Sequence, residues 1–264
     1  MLTVISPAKR LDQTPRVLPG GMAPTLPVFG PDAARLAKLA KALSVGDLCA
    51  LMGISESLGQ LNRDRFKAYR AKPDLGQTWP AAYLFAGDTY AGLEAATMHP
   101  DALRWAQGHL RILSGLYGLL RPLDAIQPYR LEMGSKLANP KGGDLYAFWG
   151  DKIAKALNTQ AAAMGTKVLI NCASAEYFGA VDRKKLKLQV ITPVFLEDRG
   201  DEAKIISFWA KKARGAMARY IADHQLTDPQ DLRGFGMGGY RYDAALSKGD
   251  AWAFLRSAVQ AEAA

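Results

Sequence analysis

The sequence predicts a mixed α/β fold: a single compact domain over residues 1–264, with a central mixed sheet, surrounding helices and a helix-hairpin-helix element at 44–70. Three observations predict it. Short apolar, β-branched runs at Leu2–Ser6, Leu110–Leu113 and Val168–Ile170 have the hydrophobicity of strands buried on both faces. Longer stretches with apolar residues three and four apart alternate with these runs. The runs at Leu2–Ser6 and Val168–Ile170 open directly into polar segments and the run from Leu110 leads to one at Arg121, an arrangement that places functional groups at strand ends in α/β proteins.

The elements follow in order. Leu2–Ser6 is read as a buried strand whose exit, Ser6-Pro7-Ala8-Lys9-Arg10, presents two cations. Five prolines within 15–31 make an irregular connection. Asp32 is expected to cap a helix over Ala33–Leu43. Ser44 is expected to cap a second helix, to Met52, and Glu56–Arg70 forms a third, with Leu58, Leu61, Phe66 and Tyr69 as its apolar positions. The turn Met52-Gly53-Ile54-Ser55 is close to the Gly-hydrophobic-Gly turn of helix-hairpin-helix motifs, whose amides approach a DNA phosphate. Ser55 replaces the second glycine, and its hydroxyl is a possible phosphate donor. Arg63, Lys67 and Arg70, at i, i+4 and i+7, form a stripe of cations on the third helix. The competing account is an ordinary helical pair with a solvated face.

Trp79–Phe85 reads as a strand leading to Asp88, either a functional carboxylate at a strand end or the cap of a helix over Ala91–Met98. After a helix over Pro100–Gly108 and the strand from Leu110, the stretch to Gly134 delivers Arg121, Asp124, Tyr129, Arg130 and Glu132 within twelve positions of a proline-stiffened, non-repetitive segment. A solvated loop of mutually paired charges is the alternative. Asp144–Met164 reads as one long helix stopped by Gly165. The strand Val168–Ile170 ends in polar Asn171, Ser174 and Glu176. Leu188–Leu196 and Lys204–Phe208 are expected to form a hairpin turning at 198–201. Trp209–His224 is an amphipathic helix with Lys211, Lys212, Arg214 and Arg219 on its polar face. Arg233–Arg256 folds back around Lys248-Gly249-Asp250, and the glycines of 234–239 lack the strand–helix context of a phosphate loop.

Charge and composition narrow the function. The chain has 34 Lys+Arg against 25 Asp+Glu, a net +9 with a pI near 9.5, which favours polyanions such as nucleic acid. No apolar run approaches the roughly 18 residues that span a bilayer, and Met1–Asp12 lacks the pattern of a secretory signal. Cys49 and Cys172 follow no metal or redox spacing, and His99, His109 and His224 are scattered. A cytoplasmic protein, acting as a monomer without cofactor or histidine-centred metal site, is the expectation. Direct iron binding by the carboxylates is disfavoured, because oxygen-only ligand sets suit harder ions. If the strand ends converge, Lys9, Asp88, Asp124, Glu132 and Glu176 are the catalytic candidates. Lys9 then serves either as an amine nucleophile or as a phosphate clamp. The DNA-contacting candidates are Met52, Gly53, Ile54, Ser55, Arg63, Lys67, Arg70, Arg121, Tyr129, Arg130, Asn171, Ser174, Lys211, Lys212 and Arg214.

Several motifs carry a resemblance in order along the chain: ISPAK (Ile5–Lys9), LMGIS (Leu51–Ser55), GDTYAGL (Gly87–Leu93), LSGLYGLLRPLDAIQPYRLEMG (Leu113–Gly134), DLYAFWGD (Asp144–Asp151), NCASAEYF (Asn171–Phe178), PVFL (Pro193–Leu196) and KIISFWAKKARG (Lys204–Gly215). Over nearly its whole length the chain resembles the YaaA family of peroxide-stress resistance proteins. Thr89, Cys172 and the glycine run 234–239 depart from the expected pattern. The resemblance implies a cytoplasmic bacterial protein that protects against hydrogen peroxide and limits iron-dependent oxidative damage. It also implies one compact α/β domain with a helix-hairpin-helix element and a basic cleft for duplex or distorted DNA. It attaches no reaction to the chain, which leaves two expectations: a DNA-backbone binder, or an enzyme acting on damaged DNA through Lys9 and the carboxylates.

Overall fold

The computed structural model describes residues 1–200 and 202–257. Its strands are β1 (Leu2–Ile5), β2 (Arg10–Leu11), β3 (Trp79–Pro80), β4 (Phe85–Ala86), β5 (Leu110–Ser114), β6 (Gly118–Leu120), β7 (Ala125–Ile126), β8 (Val168–Cys172), β9 (Gln189–Asp198), β10 (Ala203–Lys204), β11 (Tyr240–Lys248) and β12 (Ala251–Arg256). The helices are α1 (Gly30–Lys41), α2 (Val45–Met52), α3 (Glu56–Ala68), α4 (Ala81–Leu84), α5 (Asp88–Leu93), α6 (Pro100–His109), α7 (Leu145–Trp149), α8 (Lys152–Ala163), α9 (Ala175–Phe178) and α10 (Ser207–Asp223).

One central mixed sheet in the order β11-β12-β9-β8-β1-β5-β6 is surrounded by helices, with β10 paired to β9. The run β12-β9-β8-β1-β5 is parallel, and the outer pairings β11/β12, β5/β6 and β10/β9 are antiparallel. Leu2, Val4 and Ile5 of β1 are fully buried, as are Ile112 and Leu113 of β5 and Leu169 and Ile170 of β8. Strands covered on both faces need side chains with nothing polar to satisfy, and each such aliphatic residue contributes roughly 1.5–3 kcal/mol.

Strand order divides the connections between these elements. The chain leaving β1 proceeds to β5 on one side, whereas the chain leaving β8 proceeds to β9 on the other. Right-handed crossovers in opposite directions send the two connections to opposite faces of the sheet. The loops after β1 and β8 therefore part, which opens a crevice at the carboxyl ends of the strands.

The structure corrects several elements. Trp79–Phe85 is not a strand: Pro80 ends a two-residue strand, and the buried Ala81–Leu84 form a helical turn. A short run buried on all sides gives no periodicity by which to tell the two apart. The long helix over Asp144–Met164 is two, because Gly150 (φ 50°) turns left-handed and closes α7. Asp32 is not a cap, since Pro31 starts α1 earlier. Its carboxylate instead accepts from Lys152 Nζ at 2.6 Å and ties α1 to α8. Phe208 belongs to α10, not to the strand after the 198–201 turn, whose Asp201 lies outside the described residues. Ser44 does cap α2, with Asp47 reciprocating. The third helix stops at Ala68, two residues short of Arg70. It buries Gly59, Asn62 and Phe66, and leaves Leu58 and Leu61 exposed, because α2 passes so closely that a Cβ at Gly59 would lie 2.5 Å from Cys49 Sγ.

The tightest glycine contacts among the described residues lie between α5 and α10. A Cβ at Gly215 would stand 1.7 Å from the Thr89 carbonyl oxygen, and one at Gly92 would stand 2.0 Å from the Lys212 carbonyl oxygen. Overpacking of this kind costs about 1–3 kcal/mol or more. Gly215→Ala is therefore expected to lower unfolding stability by at least about 2 kcal/mol in a denaturant titration. Gly108→Ala in α6, where a Cβ meets nothing within 4 Å, should raise it by about 0.5–1 kcal/mol.

Candidate functional site

The crevice between the diverging strand exits is a cleft of about 500 Å³. One wall is the exit of β1, with Ser6, Lys9 and Arg10; the exit of β8 supplies Cys172, Ser174 and Glu176. Asp88 and Thr89 approach from the start of α5, Lys211 and Arg214 from α10, and Glu132 from the segment after β7. Lysine, arginine and carboxylate side chains from five separate parts of the sequence thus face one concavity. A pocket of this size with convergent polar groups is the usual form of a small-ligand or substrate site.

Hydrogen bonds hold the exits together. Ser174 N–H donates to Ser6 Oγ at 2.9 Å, and Ser6 Oγ donates to Ser174 Oγ at 3.3 Å. Tyr90 OH donates to the Ser6 carbonyl at 3.2 Å, linking α5 to β1. Glu132 sits between two cations: its Oε2 is 2.7 Å from Lys9 Nζ and its Oε1 is 3.1 Å from Arg130 Nη2. Lys9 remains largely exposed in this pair, whereas Arg130 is mostly buried behind Glu132. Arg130 therefore positions Glu132 and is not itself on the cleft wall. Glu176 Oε1 accepts the Gly134 N–H at 2.9 Å, which fixes that carboxylate against the end of the same segment.

Arg10, Asp88, Glu176, Lys211 and Arg214 make no salt bridge among the described residues. Arg214 is half-buried on α10, and burial lowers its pKa from the ordinary guanidinium value. The thiol of Cys172, at the floor, is pushed up to about 12 by burial, against a smaller downward pull from Arg214. It is a neutral thiol at physiological pH. Thiolate, not thiol, is the reactive form.

Other candidate residues lie elsewhere. Asp124 is buried, accepts the Arg121 backbone N–H at 2.8 Å and the Thr25 hydroxyl at 2.7 Å, and pairs with the Arg121 guanidinium at 2.9 Å. Both residues face a different cavity, beside Arg111 and Leu119. Tyr129 is 4% exposed, with its hydroxyl 2.6 Å from Ser114 Oγ, and burial raises its pKa far above the phenol range. It packs edge-on against Phe85 and Tyr117 in an aromatic core. Asn171 turns back to accept the Ala173 N–H at 3.1 Å and shapes the β8 exit from within. Lys212 lines a separate pocket across α10. Arg219, read as part of the polar face, pairs with Asp223 and donates to the Glu94 carbonyl and to Thr97, pinning α10 to the end of α5. The turn Met52–Ser55 and residues Arg63, Lys67 and Arg70 are not on the cleft wall. Gly53 (φ 60°) closes α2, Ser55 opens α3, and Lys67 is exposed. Arg70 is occupied in donating to the carbonyls of Lys67, Ala68 and Tyr69. Ser6 on the cleft wall was not anticipated, and Arg10 was read only as one of the two cations at the strand exit; both share that exit with Lys9, and that adjacency was the available signal.

Comparison with known proteins adds the lineage. Residues 1–246 match the family profile described as peroxide stress protein YaaA. The chain belongs to the YaaA family of peroxide stress proteins. A UPF0246 protein of Ruegeria pomeroyi is 60% identical over 256 residues, covering 97% of this chain and 98% of its own. One from Roseobacter denitrificans is 58% identical over 258 residues, with 97% and 98% covered. A third, from a Jannaschia species, is 57% identical over 264 residues and spans both chains completely. No helix among the described residues is long and apolar enough to cross a membrane, and no group of three or more His, Cys, Asp or Glu side chains among them is placed to hold a metal ion.

The protonated state of Cys172 has a direct consequence. Its folded pKa lies above the unfolded value, so its contribution to stability is complete below pH 9 and is lost as pH rises towards 12. At pH 8, iodoacetamide should modify Cys172 at least tenfold more slowly in the native protein than in the denatured chain, as followed by peptide mass spectrometry.

Proposed function

We propose that the protein serves the response to hydrogen peroxide as a cytoplasmic DNA-binding protein, gripping the backbone of duplex or distorted DNA and limiting iron-dependent oxidative damage. The observation that carries the reading is the convergence of Arg10, Lys211 and Arg214, none of them in a salt bridge among the described residues, with the exposed Lys9 around one cleft. Phosphate neutralisation needs cations not already committed to carboxylates; Arg10, Lys211 and Arg214 meet that condition, whereas Lys9 is paired with Glu132. The net charge of +9 supports the same partner at longer range. The peroxide context comes from the family. A second contact is offered by the α2–α3 pair, whose turn at 53–55 leads into the helix that carries Arg63 and Lys67. Arg70 drops out of that surface because the end of α3 occupies it.

Double charge reversal, Lys211→Glu with Arg214→Glu, should weaken duplex binding at least tenfold in a fluorescence anisotropy titration. It should also lower the slope of log affinity against log salt by about 2, on the basis of roughly 0.9 for each phosphate contact. Unchanged affinity and slope would remove the cleft from the interface. Arg63→Glu with Lys67→Glu should cost severalfold, and no effect would remove the helix pair alone.

A second reading is favoured by the 2.7 Å contact between Lys9 Nζ and Glu132 Oε2 in a cleft that also holds Asp88 and Glu176. Backbone binding does not need these carboxylates, whereas an amine nucleophile needs a base to take its proton. In this reading the Lys9 amine adds to the aldehyde carbon of an abasic site, and water leaves to form an imine. Borohydride should then trap a covalent protein–DNA adduct that is absent from Lys9→Ala. Failure to trap it, or its persistence in the variant, would dispose of this chemistry.

A further inference from the structure

On the side of α10 away from the cleft, a cavity of about 310 Å³ is lined by Trp209, Lys212, Ala216, Met237, Tyr240 and Arg256, with Glu94 at its edge. Arg256 is an unusual residue to find there. It is 2% exposed, and its Nε donates to Glu197 Oε2 at 2.8 Å. Tyr240 OH donates to the other oxygen of the same carboxylate. The guanidinium carbon lies 4.2 Å from the Trp209 ring centroid and 5.2 Å from that of Tyr240. Yet Arg256 Nη2 is buried with no hydrogen-bond partner among the described residues. A buried donor without an acceptor is costly, and a charged one more so.

We propose that this pocket binds an aromatic monocarboxylate, with the ligand ring against Trp209, Tyr240 and Met237 and its carboxylate accepting from Arg256 Nη2 and Lys212. The walls select the ring, because flat aromatic groups stack or pack edge-on against such side chains and thioethers contact them favourably. The charges select the head group. Glu197 already balances Arg256, and Glu94 stands on the same lining as the exposed Lys212. The lining therefore carries no excess positive charge, which disfavours a dianion such as phosphate, and a carboxylate is selected by the unpaired Arg256 Nη2 donor, which one of its oxygens satisfies. Trp209 covers the guanidinium, so the acceptor reaches Nη2 as that ring shifts. Phe208, its edge-on neighbour, is half exposed. The site is independent of the DNA reading, since Lys211 and Arg214 face the opposite cavity.

The test is calorimetric titration of the full chain with sodium benzoate, with tryptophan emission followed in parallel. Saturable one-site binding with a change in emission is expected, together with weaker binding of benzamide. Lys212→Glu should weaken benzoate at least fivefold and leave benzamide unchanged. Met237→Trp, which narrows the cavity, should weaken both. Trp209→Phe should lose the emission change but keep the heat. Lys211→Glu with Arg214→Glu should leave benzoate binding unchanged. The proposal is overturned if benzoate gives no saturable heat, or if Met237→Trp binds it as the parent does. It also fails if the Lys211/Arg214 pair controls binding, or if inorganic phosphate binds as tightly in a manner sensitive to Lys212→Glu.

Discussion

Backbone-to-backbone contact between α5 and α10 is the constraint on which the site depends. At Gly92 and Gly215 the two helices approach until only hydrogen atoms separate each chain from the other's carbonyl groups. Asp88 and Thr89 lie one turn before Gly92, and Lys211 and Arg214 lie just before Gly215. The same crossing that joins the helices therefore sets these side chains across one cleft. Arg219, fastened to the carbonyls beyond α5, holds the far end of the crossing and prevents α10 from pivoting about it.

The other half of the site follows from strand order. Because β1 lies between β5 and β8, the exits of β1 and β8 diverge, and Ser6 and Ser174 bridge the gap at its base. The segment after β7 then closes the side. It is held by the hairpin of β5 and β6, whose Gly115 lies so close to Leu131 that a Cβ there would be 2.2 Å from the Leu131 carbonyl oxygen. That clamp places Glu132 between Lys9 and Arg130. Conformational entropy is thus already spent before any ligand arrives, which is what preorganisation means in energetic terms.

Much of this was legible in the residues. The buried strands, the helix from Pro100, the terminal hairpin and the cap at Ser44 carry local signals that tertiary structure leaves alone. So do the strand exits, and Lys9, Asp88, Glu132, Ser174 and Glu176 do meet. What was not legible depends on distant partners. Asp124, Arg121 and Tyr129 look like site residues because they crowd a polar loop, but buried polar groups must find hydrogen bonds, and theirs are to Thr25, to one another and to Ser114. Lys211 and Lys212 are neighbours in sequence yet face different cavities, because a helix turns about 100° per residue and both faces of α10 are covered. The split of the 144–164 helix rests on a left-handed Gly150, a conformation that glycine permits but does not announce.

The glycine crossing also bears on what the cleft can admit. Two of its lining segments, the start of α5 and the middle of α10, meet main chain to main chain, so their mutual position cannot relax by a change of rotamer. That part of the cleft wall is the same before and after a guest enters, and adaptation falls to the side chains it carries.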